Sequence, residues 1–175
     1  MPYPRDEDGT AARRTIDRMS PSRRRVAVGS DMRHETADAV AAHLNARGVE
    51  VVHCGAVDGP DTPWPDVAEA VGRLVAQGAV ETAVLLCWTG TGVSIAANKI
   101  PGVRAALCGD PETARGARRW NDANVLALGL STTDASAARA IVDVWLDTGD
   151  VDPEEAANIA RVAELEERYR IGPLT

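Results

Sequence analysis

The segment from Cys87 to Ser94, CWTGTGVS, is the part of this sequence best suited to chemistry. It runs from an apolar stretch typical of a buried strand, through a turn centred on Gly90, Thr91 and Gly92, into a helical stretch. Such a turn points backbone N–H groups and the positive end of a helix dipole at whatever lies above the strand. It could therefore hold an anion or a developing oxyanion. The GTG spacing is neither the Walker spacing nor GxGxxG, so a purely structural turn explains it equally well.

A few polar side chains outside this segment are further candidates. A lone cysteine at a strand end is more often a small buried apolar residue than a base, but a helix N-terminus beside Cys87 favours the reactive thiolate. Asp31 either caps the helix that follows it or contacts a substrate. Of the three histidines, only His34 is expected near the mouth of a site, while His43 is expected on a helix surface and His53 in a strand.

The elements that must position these residues follow from an alternation of short apolar runs and alanine-rich stretches. The runs are continuously apolar, which is typical of parallel strands covered on both faces. Five βα units predict an α/β fold: an open parallel five-stranded sheet with helices on both faces, plus a C-terminal helix. The predicted strands are 25–30, 49–55, 82–87, 103–108 and 124–129, and the predicted helices are 35–48, 65–78, 92–99, 111–120, 134–149 and about 153–169.

Local signals support these bounds. We expect Gly48, Gly78 and Gly149 to end helices in the left-handed conformation, and Asp110 to be an N-cap. In such a sheet, ligands bind beyond the carboxyl ends of the strands, where the strand order reverses. A thiol, Cys87, and two carboxylates, Asp31 and Asp110, could converge there.

Composition narrows the class of protein. The 175 residues, 45% hydrophobic and 26% charged, suit one globular domain, which we place at residues 25–170. Residues 1–24 show neither a strand nor a helix period and are expected to form a flexible arm. The net charge is −7 although the first 25 residues are basic, so nucleic acid is a poor partner.

Apolar run lengths and cysteine spacing exclude further classes of protein. No apolar run is long enough to span a membrane and no apolar stretch follows the early arginines, so we expect a cytoplasmic protein without membrane contact. Three cysteines without CxxC spacing indicate neither a disulfide framework nor a metal site.

Three stretches carry a resemblance to a known family: TGTGVSIAANK at 89–99, GVRAALC at 102–108 and NDANVLALG at 121–129. Together they resemble the ribose-5-phosphate isomerase B family, which includes the galactose-6-phosphate isomerase subunits, over about residues 25–169. The resemblance implies a Rossmann-like sheet and a homodimer whose sites are completed by the partner subunit. It also implies aldose-ketose isomerisation of a small sugar or sugar-like substrate through an enediolate, without a metal or cofactor.

The resemblance also assigns roles to particular residues. Cys87 falls on a cysteine that acts as the base, removing the proton from the carbon next to the carbonyl, and Thr89 falls on its hydroxyl helper. The amides from Trp88 to Gly92 match an anion hole for the enediolate. Asp31 and Asn121 match residues that hydrogen-bond substrate hydroxyls.

Other substrate-contacting positions depart from the family pattern. After the first strand the family histidine is replaced by Met32, which Arg33 and His34 follow. The histidine that assists ring opening is replaced by Trp120, and an indole cannot exchange a proton near neutral pH. Unless His34 substitutes, ring opening loses its proton donor.

At other positions of the expected site, tryptophans replace smaller or polar family residues, and the basic residues that would bind phosphate are replaced. Three tryptophans, Trp64, Trp88 and Trp120, are expected to line the mouth of the site. Most arginines that would bind phosphate are missing, as at Ser131, and only Arg161 keeps its place. Neighbouring glutamates in the last helix would repel a dianion.

The leading interpretation is an isomerase of this family that acts on a substrate other than ribose 5-phosphate. One alternative is a different reaction on the same scaffold, such as an epimerisation, elimination or rearrangement in a specialised biosynthetic pathway. The other is a noncatalytic ligand-binding homologue, because fold does not fix function.

Overall fold

The computed structural model describes residues 24–170, so the predicted arm lies, except for Arg24, outside the described residues. The elements alternate as the sequence predicts. In chain order they are β1 (Arg25–Ser30), α1 (Glu35–Ala46), β2 (Glu50–Gly55), α2 (Trp64–Ala76), β3 (Thr82–Cys87), α3 (Thr91–Ala97), β4 (Ala105–Leu107), α4 (Pro111–Asn121), β5 (Val125–Gly129), α5 (Ala135–Asp147), a 3-10 turn (Pro153–Glu155) and α6 (Ala156–Arg168).

The five strands pair in parallel in the order β2-β1-β3-β5-β4. The predicted Rossmann-like α/β architecture is therefore confirmed. The three inner strands are buried almost throughout, whereas the edge strands β2 and β4 are only partly covered. Both faces of these edge strands still contact apolar clusters, through Val51 and Ala106 on one face and Val52 and Ala105 on the other, so coverage on both faces is confirmed although it is only partial.

Helices cover both faces of the sheet with separate apolar clusters. On one face, α1, α4 and α5 contribute residues such as Leu44, Ala114 and Trp145. On the other face, α2 and α3 contribute residues such as Val67 and Val93. The sheet is therefore held from both sides, and its carboxyl edge is left for the loops that carry the polar residues.

Element ends follow the sequence signals except at α3, α5 and β4, which spans only Ala105–Leu107 instead of the predicted 103–108. Gly48 and Gly78 have φ of +78° and +68° and follow α1 and α2 as predicted. Gly149 does not take this conformation, because α5 ends at Asp147 and its C-cap Thr148 is already extended. The helix α3 ends at Ala97, earlier than predicted, because the amide of Asn98 bonds Ser94 O and both backbone groups of Ala105.

The C-terminal helix α6 packs loosely on the rest of the chain. None of its residues is buried. It is tied to the loop before β4 by Glu166, whose carboxylate accepts hydrogen bonds from Gly102 N at 3.0 Å. The 3-10 turn before it is anchored through Asp152, which bonds Arg119.

Candidate active site

The strand order reverses between β1 and β3, and the candidate residues lie at that point. The register pairs Ser30 with Leu86, so the next residues, Asp31 and Cys87, are neighbours at the carboxyl edge. On the other side of β3, Cys87 pairs with Gly129 of β5. This crevice is the place where open α/β sheets bind ligands. The structure thus brings together the thiol and one carboxylate that the sequence predicts there.

The second predicted carboxylate does not join them. Asp110 follows β4, which is separated from β1 by β3 and β5. Its carboxylate accepts hydrogen bonds from the backbone N–H and hydroxyl of Thr113, at 2.9 and 2.7 Å, so it is the N-cap of α4 as expected.

The glycine-rich turn after β3 has a shape that only glycine fits. Gly90 has φ of +74°, and a Cβ there would lie 2.8 Å from the carbonyl carbon of Leu128. The turn is docked on the end of β5, since Leu130 N donates to Cys87 O at 3.0 Å and Ser131 N donates to Trp88 O at 2.9 Å. Side-chain bulk at Gly90 would therefore push the turn away from β5.

This turn presents backbone donors beside Cys87. The first hydrogen bond of α3 runs from Ser94 N to Gly90 O at 3.2 Å. The N–H groups of Thr91 and Gly92, in the first turn of α3, consequently have no acceptor within the helix. The hydroxyls of Thr89 and Thr91 are hydrogen-bonded to each other at 2.6 Å. Cys87 itself is buried, with 5% of its surface exposed.

Two tryptophans stand at this mouth. The ring of Trp64, the first residue of α2, packs against Gly92, where a Cβ would lie 3.2 Å from it. Trp64 and Trp88 expose 44% and 56% of their surfaces, which is high for indoles. They offer apolar surface next to the backbone donors.

Asp31 has an unusual environment. Its Oδ1 is enclosed and has no hydrogen-bond partner within residues 24–170. Burial raises the pKa of the Asp31 carboxyl, backbone N–H groups of Asp31 and Met32 lower it, and the charge of Asp61 raises it. Asp31 does not cap α1, so the remaining alternative from the sequence, a contact with substrate, is the one its position supports.

The three residues after Asp31 have mainly local contacts. Met32 is partly buried against the apolar cluster of α1, α4 and α5. His34 is the N-cap of α1, because its Nδ1 accepts a hydrogen bond from Thr36 N at 3.2 Å. Arg33 is exposed, and its backbone N–H donates to Asp61 Oδ1 at 3.3 Å. His34 therefore has a structural role that the sequence interpretation did not foresee.

Asp61 is a site residue that the sequence analysis missed. It lies in the loop between β2 and α2, where Thr62 N also donates to Asp31 O at 3.0 Å. The available signal was a carboxylate shortly after the second strand. The strand order that puts this loop beside Asp31 is not visible in the sequence.

Three other predicted site residues lie at the opposite edge of the sheet. Trp120 and Asn121 end α4, just before β5 begins, and Arg161 lies on α6, which is tied to the same edge. Asn124 O accepts from Ala83 N, at the start of β3, whereas Cys87 ends that strand. The length of β3, about 16 Å at about 3.3 Å per residue, separates the two groups.

Other features of the described residues lie apart from this site. A groove of about 460 Å³ between α2 and α3, lined by residues such as Glu69, Arg73 and Lys99, contains none of the predicted site residues. Residues 24–170 contain no group of three or more His, Cys, Asp or Glu side chains placed to hold a metal ion. Among the same residues, no helix has the length and apolar character needed to cross a membrane.

Comparison with known proteins agrees with the fold. The model of the family described as Ribose/Galactose Isomerase matches residues 26–165. Over 119 residues the chain is 44% identical to ribose-5-phosphate isomerase B of Escherichia coli. The aligned region covers 68% of this chain and 77% of that protein. D-erythrulose-4-phosphate isomerase 2 of Mycolicibacterium smegmatis is 40% identical over 117 residues, or 67% of this chain and 75% of that protein.

Solved structures lead to the same conclusion. The ribose-5-phosphate isomerase B of Clostridium thermocellum has a TM-score of 0.79 and 36% sequence identity, covering 83% of this chain and 99% of that one. Fold and site thus define an α/β isomerase built around a switch-point crevice. The chain belongs to the ribose/galactose isomerase family, and the resemblance seen in the sequence is confirmed.

Proposed function

We propose that this isomerase moves a proton between adjacent carbons of a sugar or hydroxy-carbonyl substrate through an enediolate, with no bound cofactor. The observation that carries the proposal is the pairing of β1 with β3, which sets Asp31 beside Cys87 under the open donors of the turn. A thiolate, a carboxyl and backbone N–H groups in one crevice are suited to removing a carbon-bound proton and holding the resulting oxyanion.

The proposed reaction assigns one task to each group. The Cys87 thiolate removes the proton from the carbon next to the carbonyl, the electron pair of that C–H bond forms the carbon–carbon double bond of the enediolate, and the carbonyl π pair moves to the carbonyl oxygen. The open N–H groups of Thr91 and Gly92, within the segment from Trp88 to Gly92, stabilise the oxygen as it gains charge, an effect worth about 3–4 kcal/mol per donor in other enzymes. Cys87 then returns the proton to the neighbouring carbon, and the Thr89 hydroxyl assists.

The charge distribution supports a substrate other than ribose 5-phosphate. The relatives above are named for sugar phosphates, whose dianion normally meets several arginines or lysines. In this chain Asn158 bonds the carboxylate of Glu155, and Arg161 pairs with Glu164. The exposed indoles of Trp64 and Trp88 favour a less charged or more apolar substrate.

We further propose that the protein is a homodimer with a site shared between subunits. Trp120, Asn121 and Arg161 can reach Cys87 only from a second copy, because they lie at the other edge of the sheet. The helix α6 exposes Val162 and Leu165, which a partner would cover. A closed two-fold pair would complete both sites at once.

A cytoplasmic location belongs to the same proposal. All three cysteines are free thiols, which is typical of a reducing compartment.

The test is replacement of the proposed base. We expect Cys87→Ala to lower turnover by about 10² or more without unfolding the protein, since a general base typically contributes that much. Cys54→Ala is the matched control, because it removes a half-buried thiol from the end of β2. In deuterated water, wild type should place deuterium on the carbon that receives the proton. Equal activity of Cys87→Ala and wild type would refute the role of Cys87 and favour the ligand-binding alternative.

A further inference from the structure

The carboxyl of Asp31 lacks a hydrogen-bond donor for one of its oxygens inside the crevice. One of its oxygens, Oδ1, is fully enclosed and has no donor within residues 24–170. An enclosed carboxylate oxygen without a donor is costly, and either a proton or a substrate hydroxyl would relieve that cost. Asp31 is also the first residue after β1, one position beyond the Ser30–Leu86 pair, just as Cys87 follows Leu86 on β3. Its protonation state therefore bears directly on the reaction.

A second carboxylate is held next to it by two hydrogen bonds. Thr62 N donates to Asp31 O at 3.0 Å, and Arg33 N donates to Asp61 Oδ1 at 3.3 Å. These bonds fix the β2–α2 loop against the residues after β1. Two like charges placed close together favour a proton on one of them. Because Asp61 is exposed and Asp31 partly buried, it is the Asp31 carboxyl whose pKa is raised, chiefly by burial and also by the charge of Asp61.

Each of the three histidines has one ring nitrogen paired with a group other than Asp31 or Cys87. The Nδ1 of His34 accepts a hydrogen bond from Thr36 N as the cap of α1. His43 bonds Asp143 at 2.7 Å, on the side of the fold where α1 meets α5. The Nδ1 of His53 lies 3.4 Å from Asp58 on the edge strand. The Asp31 carboxyl, one residue beyond the Ser30–Leu86 pair, is a group at this edge that can both give and accept a proton.

We propose that Asp61 is a positioning residue that keeps a proton on Asp31, and that Asp31 carries this proton between the two oxygens of the substrate. Asp31 in its acid form gives the proton to the carbonyl oxygen as that oxygen gains charge. The Asp31 carboxylate then removes the proton from the hydroxyl on the neighbouring carbon, whose oxygen becomes the new carbonyl. One proton leaves Asp31 and one returns, so the step balances. The identity of the two oxygens rests on the function proposed above.

The ionisable groups that face Asp31 allow a clean test. They are Asp61 across the loop, Cys87 on β3, and Arg33 and His34 in its own loop. Asp61→Asn removes one charge and keeps the shape of the side chain. Asp58→Asn removes one charge from the same loop at a residue that faces His53 instead, and is the matched control. Neither substitution touches an apolar cluster of the core.

The first measurement needs no substrate. In full-length protein, carboxyl carbon NMR should show the pKa of Asp31 about half a unit lower in Asp61→Asn than in wild type, the size expected of a charge pair with one exposed partner. Asp58→Asn should leave it unchanged, and Asp61→Glu should restore it. An unchanged pKa in Asp61→Asn, or an equal shift in Asp58→Asn, would overturn the proposal.

The second measurement uses whichever substrate the wild-type enzyme converts. If the acid form of Asp31 is required together with the Cys87 thiolate, the pKa of Asp31 sets the acid limb of the profile of kcat/KM against pH. Asp61→Asn should then move this limb to lower pH by about half a unit. It should also lower the plateau of the profile about threefold, because a smaller fraction of Asp31 is in the acid form. A shifted limb with an unchanged plateau would show that Asp31 acts only as a carboxylate, and would overturn the proposal. Loss of activity in Cys87→Ala is the separate test of the proposed function.

Discussion

Gly90→Ala probes the close contact between the glycine-rich turn and β5. In the native turn Gly90 has φ of +74°, where a side chain is strained. An added Cβ would lie 2.5 Å from Cδ1 of Leu107, 2.8 Å from the carbonyl carbon of Leu128 and 2.9 Å from Gly129 N. The first of these atoms ends a flexible side chain, but the other two are backbone. The turn must therefore move away from β5 to admit a methyl group.

The expected cost has two parts that a control separates. The left-handed conformation costs about 1–2 kcal/mol for a non-glycine residue. Displacing packed backbone adds about 1–3 kcal/mol, the range found for overpacked cores. Gly78→Ala supplies the first part alone, because Gly78 has φ of +68° and no heavy atom within 4 Å of the Cβ position. The free energy of unfolding should thus fall by about 1–3 kcal/mol more in Gly90→Ala than in Gly78→Ala.

Urea denaturation of both variants and wild type measures this difference, provided that the three m-values agree. For a chain of this size the additional loss corresponds to a further fall in Tm of about 2–12 °C. Equal destabilisation of the two variants would refute the reasoning, since it would mean that the turn has room for a side chain. A larger loss in Gly78→Ala would refute it as well.

Four further outcomes follow from the same structure. Ribose 5-phosphate should be converted at least about 10³-fold less efficiently than the true substrate, equal to about 4 kcal/mol of transition-state binding, and a steady-state specificity constant of about 10⁴ M⁻¹s⁻¹ or more would contradict this. Light scattering should give a dimer for wild type and a monomer near 18.5 kDa for Leu165→Glu, whereas a wild-type monomer at micromolar concentration would exclude the shared site. Burial raises the pKa of Cys108 to about 11, so at pH 8 only about one thiol in 10³ is ionised, and mass spectrometry should find iodoacetamide on Cys108 only after unfolding. Trp145→Phe removes the buried hydrogen bond from Nε1 to Thr82 Oγ1 at 2.9 Å, and urea titration should show a loss of about 1–3 kcal/mol, with no measurable loss contradicting the assignment.

Strands and helices were predictable because each one has a local cause. The apolar run of β3 is buried at every position, and the glycines after α1 and α2 end those helices as expected. Where the prediction failed, a nonlocal contact decided the outcome. The side chain of Asn98 ends α3 by bonding the backbone of Ala105, a partner that local sequence signals do not identify.

Only those parts of the candidate site that lie at the end of a single strand could be predicted from the sequence. The sequence placed Asp31 and the segment after Cys87 at strand ends, and parallel pairing brought them together. It left open whether Asp31 caps α1, because the loop decides which polar side chain faces Thr36 N, and that side chain is His34. The contact between Asp31 and the loop of Asp61 required the order β2-β1-β3, in which β2 lies beside β1.

The two groups of predicted site residues differ in how firmly the fold holds them. The turn after Cys87 is fixed by the backbone of β5, so its geometry cannot change without cost to the sheet. Trp120 and Arg161, in contrast, are exposed on α4 and α6, where a substitution disturbs little packing. A chain built this way can change which substrate it recognises while retaining the proton-transfer machinery. Departures from the family pattern occur in both groups, at Met32, Trp64 and Trp88 beside Cys87 and at Trp120 at the other edge, whereas Cys87, Thr89 and the turn formed by Gly90, Thr91 and Gly92 match the family.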